Sequence, residues 1–245
     1  MNNKFTKTKL LIVLLGLGLL GTYHTKAQEV HGNPNVWYLL LLNHHLNDQL
    51  NIGTEVHMRY DDWMNSEEQF LFRPYLDFNT KSNPNVVYTI GYTFINTYPY
   101  GDYPLPITKP ENNIWEQITL KHQLNQLKIQ HRYRLEQRWQ REIILKESNN
   151  EYELDGTNYS GRFRYRLTLT QPLTETYFIN VFDELWVKGN KKAIQYDRNW
   201  LYLGLGANLS SNYSIQLAYL HQYAQNNPTR YERHHGVQLT GSIKI

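Results

Sequence analysis

The chain of 245 residues contains no cysteine. Without thiols it cannot form a disulfide framework, a thiolate zinc site, a cysteine nucleophile or a lipid-modified N-terminal cysteine. It also lacks a long apolar run, because residues 10–20 form an unbroken stretch of only eleven, and a membrane-spanning helix needs about 20. These absences argue against a disulfide-stabilised domain and against a retained membrane helix.

Neither sign of charge dominates once the N-terminal segment is set aside. Residues 1–27 combine a lysine-containing start, the apolar run and a small-x-small ending at Thr25-Lys26-Ala27, which predicts a signal peptide cleaved after Ala27. That segment holds four of the 25 Lys+Arg and none of the 22 Asp+Glu, so residues 28–245 carry 21 against 22, a net charge of −1. The sequence pI of 8.8 therefore comes largely from the signal, and we expect no nucleic-acid partner.

Aromatic residues are abundant, with 20 Tyr, 6 Trp and 8 Phe, although the mean hydropathy is only −0.64. An aromatic-rich, aliphatic-poor composition fits a thin lipid-facing shell better than a thick globular core. Rings near the ends of the predicted strands are expected at the level of lipid headgroups. They are Tyr60, Trp63, Trp115, Trp139, Tyr159, Tyr196, Trp200, Tyr202, Tyr223 and Tyr231.

Period-two alternation of apolar and polar residues recurs along residues 28–245, whereas no helical period of useful length is found. Alternation puts successive side chains on opposite faces of a strand. Most of the segments are 10 to 15 residues long, and a membrane strand needs about 9 to 11 where the mean strand of a soluble sheet has about 5 to 6. The eleven candidate strands are 36–46, 50–60, 69–79, 86–97, 114–124, 127–141, 159–169, 175–188, 198–209, 213–224 and 232–245.

These segments predict an all-β fold: one antiparallel transmembrane up-and-down β-barrel of ten to twelve strands, formed by residues 28–245. Twelve is preferred, because a barrel whose two chain ends both lie in the periplasm needs an even number. Short and long connections alternate, as in outer-membrane barrels. Pro74 within the third strand predicts a bulge. A β-sandwich is the alternative, but it explains neither the strand length nor the cationic face.

The polar face of the strands is expected to line the barrel lumen. Arginines and glutamates on it could form salt bridges that fill and stiffen a small barrel. They could also line a narrow or plugged passage in which arginines attract anions. The residues of this predicted lumen charge network are Glu55, Arg59, Arg132, Arg134, Glu136, Arg138, Arg162, Arg164, Arg166 and Glu184.

A membrane-embedded lipid hydrolase is the enzyme class worth weighing. His131, His221 and His235 have lipid-facing parity, but Ser160, Ser214 and Ser242 have inward parity, so nucleophile and base would not meet. In His44-His45 and His234-His235, adjacent residues of a strand point to opposite faces and cannot share one ion. We therefore predict a non-enzymatic protein with no catalytic residue, no cofactor and no metal.

Residues 98–110 form the connection best suited to recognition. Proline stiffens this loop, and Tyr98, Tyr100 and Tyr103 offer contact area at little entropic cost. A stiff surface loop without a partner is an equal alternative. A surface-exposed binding or structural barrel without transport therefore stands beside the passage as a functional hypothesis.

Several motifs resemble an uncharacterised bacterial family of outer-membrane barrels, domain-of-unknown-function family 2490. They are Trp37, residues 55–60 (EVHMRY), Arg73, Gly91-Tyr92, residues 115–117 (WEQ), residues 131–140 (HRYRLEQRWQ) and residues 162–166 (RFRYR). The resemblance covers the mature chain. It implies a barrel in the bacterial outer membrane, with outer-membrane lipid and lipopolysaccharide and the barrel-assembly machinery as partners, and it implies no activity. The oligomeric state stays open.

Overall fold

The computed structural model describes residues 29–102, 104–189, 193–227 and 230–245, which form one continuous sheet. Its strands are β1 (Glu29–His31), β2 (Pro34–His45), β3 (Leu50–Asp61), β4 (Ser66–Asn79), β5 (Val86–Thr97), β6 (Lys109–Leu124), β7 (Leu127–Lys146), β8 (Glu151–Pro172), β9 (Tyr177–Gly189), β10 (Ile194–Asn208), β11 (Tyr213–Asn227) and β12 (Arg230–Lys244). A 3₁₀ turn, Asp62–Met64, follows β3. No helix of the described residues is long and apolar enough to cross a membrane. The predicted signal peptide lies outside them.

Strands β2 to β12 pair with their chain neighbours in antiparallel order, and β12 closes the ring by pairing with β2 in parallel. Residues 34–43 lie beside 235–244. Strand β1 pairs in parallel with residues 230–232, in the same register as β2. It is therefore an extension of β2, separated from it by a break at Gly32-Asn33. The all-β up-and-down barrel and the range of ten to twelve strands are thus confirmed.

The closed ring has eleven strands rather than the preferred twelve. Parallel pairing satisfies the edges of β2 and β12 with backbone hydrogen bonds, so closure does not require an even number. An odd number places the two described chain ends at opposite ends of the barrel. Ile245 lies beside His45, whose backbone N–H donates to the Ile245 carbonyl at 3.1 Å, whereas β1 lies at the other end. The expectation that both chain ends share one side is wrong.

The two ends of the barrel differ in their connections. At the turn end, short turns join the strands at residues 46–49, 80–85, 125–126, 173–176 and 209–212. At the loop end, the connections are residues 62–65, 98–108, 147–150, 190–193 and 228–229. All eleven predicted segments are strands. Most strands extend further at the loop end than predicted, which shortens the connections there. The longest connection at that end is residues 98–108.

Strands β7 and β8 extend beyond their neighbours as a two-stranded ribbon, which the sequence had suggested to be loop. Pairing of β6 with β7 reaches Glu111 and Gln140, and pairing of β8 with β9 reaches Gly161 and Gly189. Beyond these pairs β7 and β8 pair only with each other, up to Lys146 and Glu151. The ribbon, residues 141–160, therefore projects from the loop end.

The predicted bulge at Pro74 is wrong. Strands β4 and β5 keep one register on both sides of it, with Phe72 opposite Phe94 and Tyr75 opposite Gly91. Proline lacks a backbone N–H, so it interrupts the ladder without inserting a residue. The register shift between β3 and β4 falls instead at Arg59 and Tyr60.

The outer surface of the barrel is apolar. Leucine, isoleucine and aromatic side chains at alternate positions point away from the lumen, and Leu135, Leu203 and Leu217 are each more than half exposed. The lumen holds the buried side chains instead, including an aromatic cluster of Trp37, Phe182, Trp186, Trp200 and Tyr202 with Ala218 and Leu220. The period-two pattern therefore separates an apolar outer face from a packed interior.

Candidate functional site

Every residue of the predicted lumen charge network occupies an inward-facing position. Strand β3 contributes Glu55 and Arg59, and strand β9 contributes Glu184. The remaining seven come from the neighbouring strands β7 and β8. The structure adds ion-pair partners from β4, β6 and β10, namely Arg73, Glu111 and Asp197.

Glu184 is the centre of the first group of ion pairs, and it has no exposed surface. Arg164 donates from Nε to its Oε1 at 2.8 Å. Arg166 donates from Nε and Nη2 to its Oε2 at 3.0 and 2.5 Å. Arg132 donates from Nη2 to the same Oε1. One carboxylate thus accepts hydrogen bonds from three guanidinium groups on two strands.

Glu136 is the centre of the second group. Arg162 donates from Nε to its Oε2 at 2.6 Å, and Arg164 donates from Nη1 to its Oε1 at 2.7 Å. Arg134 lies 4.0 Å away and donates instead to the Gln117 amide oxygen at 2.9 and 2.7 Å. Because Arg164 contacts both Glu136 and Glu184, it joins the two groups into one network.

Three outlying ion pairs extend the network. Arg73 pairs with Glu55 and donates from Nε to Thr93 Oγ1 at 3.0 Å. Arg138 pairs with both carboxylate oxygens of Glu111 at 2.7 Å each, and Asp197 lies 3.5 Å from Arg162. Sequence reasoning missed Glu111 and Asp197 because they lay outside the predicted strands. It missed Arg73 as a lumen residue although the alternation of 69–79 gave it inward parity.

Tryptophan rings cover the guanidinium planes. Arg59 lies 3.9 Å from the ring centre of Trp37, Arg134 lies 3.8 Å from that of Trp115, and Arg164 lies 3.7 Å from that of Trp186. Stacking on a ring face stabilises a desolvated cation.

The prediction that the aromatic rings near strand ends lie at headgroup level is wrong for three of them: Trp115, Trp200 and Tyr202 are buried in the lumen. Ring-rich composition alone does not say which face a ring occupies. The inward parity of these three residues within their strands could have identified them as lumen residues.

The loop of residues 98–108 folds towards the mouth of the barrel at the loop end. The Tyr98 N–H donates to the Glu68 carbonyl at 3.0 Å, and a Cβ at Gly101 would lie 3.9 Å from Asp61 Oδ2. Burial and the nearby Glu68 carboxylate raise the pKa of the Tyr100 hydroxyl. Tyr100 therefore lies near Glu68 at the loop end, and its role in recognition stays a prediction. Tyr103 lies outside the described residues.

The histidines of the hydrolase hypothesis lie on the outer surface, as predicted. His131 Nδ1 is 2.9 Å from the Tyr165 hydroxyl, and its ring lies 5.2 Å from that of His122. The Ser160 hydroxyl is buried, and Ser214 and Ser242 are opposite each other on β11 and β12. In the described ranges, no group of three His, Asp or Glu residues could hold a metal ion.

Comparison with known proteins identifies one family. A family model described as "Protein of unknown function (DUF2490)" matches residues 34–233. No curated protein matches the chain. Among solved structures, the β domain of the Bordetella autotransporter BrkA is similar at 10% identity, with a TM-score of 0.43, over 77% of this chain and 82% of that one.

Proposed function

Because the chain belongs to the DUF2490 family, which has no assigned activity, we propose its function from its geometry: a bacterial outer-membrane barrel with a sealed lumen. In this proposal the barrel contacts other molecules through its lipid-facing surface and its loop end, and not through the lumen. The observation that supports this proposal most directly is the layer of buried, ion-paired side chains around Glu136 and Glu184.

The outer face supports membrane insertion. Exposed apolar side chains such as Leu135, Leu203 and Leu217 occupy most outward positions of the ring, and a soluble protein rarely exposes an apolar patch of more than a few hundred Å². The strands of the ring have 12 to 22 residues, which is enough to cross the apolar core at the usual tilt. Outer-membrane barrels place short turns in the periplasm and longer connections outside, so the loop end is external in this proposal.

The lumen supports a sealed barrel over an anion-selective passage. Arginines that select anions would face open water, but Arg134 and Arg164 are each only 2% exposed, as buried as the tryptophans beside them. Their charges are directed at Glu136, Glu184 and neighbouring ring faces. A permeating anion would therefore have to displace buried carboxylates, and removing one partner of a buried pair costs about 3 to 5 kcal/mol.

Planar-bilayer recording tests the proposal. We expect the purified wild-type barrel to insert and to show no discrete conductance steps. The double variant Arg164→Ala with Trp186→Ala removes the contact between the two ion-pair groups together with its covering ring, and we expect it to conduct. The matched control is Leu203→Ala on the outer face, which should stay silent. Discrete, anion-preferring steps in the wild-type protein would overturn the sealed-lumen proposal.

The proposal also holds that the barrel is not an enzyme, that it is inserted by the barrel-assembly machinery and that it is surrounded by outer-membrane lipid. The contact of His131 with Tyr165 rather than with a serine supports the first point. Incubation with lipid-loaded detergent tests it. Acyl release that disappears in His131→Ala would show a hydrolase instead.

A further inference from the structure

We propose that the outer face of β11 and β12 binds the phosphate of an outer-leaflet glycolipid, such as lipid A, through Arg233, His221 and His235. This inference rests on the proposed function, since it needs the loop end to face outward. The three side chains have outward parity near the loop end. They lie where the two strands pair, with His221 opposite His235 and Tyr223 opposite Arg233.

The three groups lie together on one face of the paired strands. The His221 and His235 rings are 4.8 Å apart, and the Tyr219 hydroxyl is hydrogen-bonded to His235 Nδ1. Arg233 lies on the same face, two residues before His235 on β12, and its side chain is exposed. Each imidazole can donate an N–H to a phosphate oxygen, and a guanidinium can donate two in parallel.

The positions that flank this cluster on the neighbouring strands carry no acid, whereas the lumen arginines contact buried carboxylates. The outward positions opposite His221 and Tyr223 on β10 are Leu201 and Asn199, and the residue beside His235 on β2 is Pro34. Glu232 lies inward, beside His234. The outward carboxylate Asp183 lies one strand beyond β10 and accepts a hydrogen bond from Asn199 at 2.5 Å. No acid on these flanking positions therefore opposes Arg233, and an anionic ligand fits.

The surroundings select a lipid over a soluble anion. Towards the turn end, the same face continues into the exposed leucines Leu217 and Leu239, four residues along each strand from the histidines, which is about 13 Å. Towards the loop end, Tyr223 and Tyr231 stack at 5.1 Å, as rings do at a headgroup interface. An amphiphile with acyl chains on the leucines would hold its phosphate at Arg233.

The chain provides a matched control cluster. His122 and His131 also form an outward pair, with rings 5.2 Å apart, but they lie near the turn end and contact Tyr165 rather than an arginine. If the cluster with Arg233 is a phosphate site and not merely an interfacial aromatic patch, only substitutions in that cluster should weaken the binding of a phosphorylated lipid.

Native mass spectrometry of the full-length mature barrel in dodecyl maltoside doped with bisphosphorylated lipid A provides the test. We expect one retained lipid A per barrel and at least about tenfold weaker retention for Arg233→Gln, since a hydrogen bond to a charged group is lost. His221→Ala with His235→Ala should weaken it as well, whereas His131→Ala should retain the wild-type affinity. Dephosphorylated lipid A should not be retained.

Three results would overturn the inference: equal retention by Arg233→Gln and wild type, equal retention of dephosphorylated lipid A, or displacement of lipid A by millimolar inorganic phosphate. The mobility shift on heating, measured for each variant, separates the two proposals. A barrel that shifts but does not retain lipid A refutes only this inference, whereas a chain that shows no shift refutes the outer-membrane barrel itself.

Discussion

Replacing Glu184 by glutamine tests whether the buried ion pairs stabilise the barrel. The substitution keeps the size of the side chain but removes the negative charge that Arg132, Arg164 and Arg166 share. Arg164 retains Glu136 at 2.7 Å. Arg132 and Arg166 are directly opposite each other on β7 and β8, so they would be left as two like charges that have lost the carboxylate to which both are hydrogen-bonded.

The expected loss follows from these contacts. Breaking a buried pair costs about 3 to 5 kcal/mol, and because Arg164 keeps one carboxylate, we expect the lower part of that range. Glu153→Gln is the matched control: its carboxylate pairs with Lys146 on the projecting ribbon at 3.1 Å, and both side chains are roughly half exposed. A solvent-exposed pair contributes about 0 to 1 kcal/mol.

Urea unfolding of the refolded barrel in phosphatidylcholine vesicles measures both variants. Fluorescence of the lumen tryptophans reports the transition, since Trp186 lies against Arg164. We expect Glu184→Gln to lower the free energy of unfolding by about 3 kcal/mol or more and to lower the temperature of the mobility shift, while Glu153→Gln changes neither. Equal stability of the two variants would refute the conclusion that the lumen network stabilises the barrel.

Three further predictions address the faces and the ends of the barrel. Leu135→Arg on the outer face should cost about 2 to 4 kcal/mol and impair insertion, measured as the fraction refolded into vesicles. Single cysteines at 129, 131, 133 and 135 should react with a membrane-soluble maleimide, and those at 130, 132, 134 and 136 should not; labelling without this alternation would contradict the assigned faces. An epitope before residue 29 should bind antibody on intact cells, and one after Ile245 should bind only after permeabilisation, whereas equal accessibility of both would contradict the odd strand number.

The sequence was sufficient for features that depend on local geometry. Successive Cβ atoms of a strand alternate between faces, so the inward positions of Arg132, Arg164 and Glu184 and the outward position of His131 followed from counting. The same alternation located all eleven strands of the ring. Strand ends were less well predicted at the loop end, because polar residues such as those of the 141–160 ribbon alternate weakly when both faces meet water.

The alternating pattern of the sequence by itself determined an amphipathic barrel with an arginine-rich interior, and the tertiary structure decided how that barrel closes and which charges meet. The parallel pairing of β12 with β2 joins residues some 200 positions apart, and no local pattern distinguishes a parallel edge from an antiparallel one. The sharing of Glu184 by Arg132, Arg164 and Arg166 likewise joins β9 with strands up to 52 residues away. Register and curvature set these contacts, and both are properties of the closed sheet.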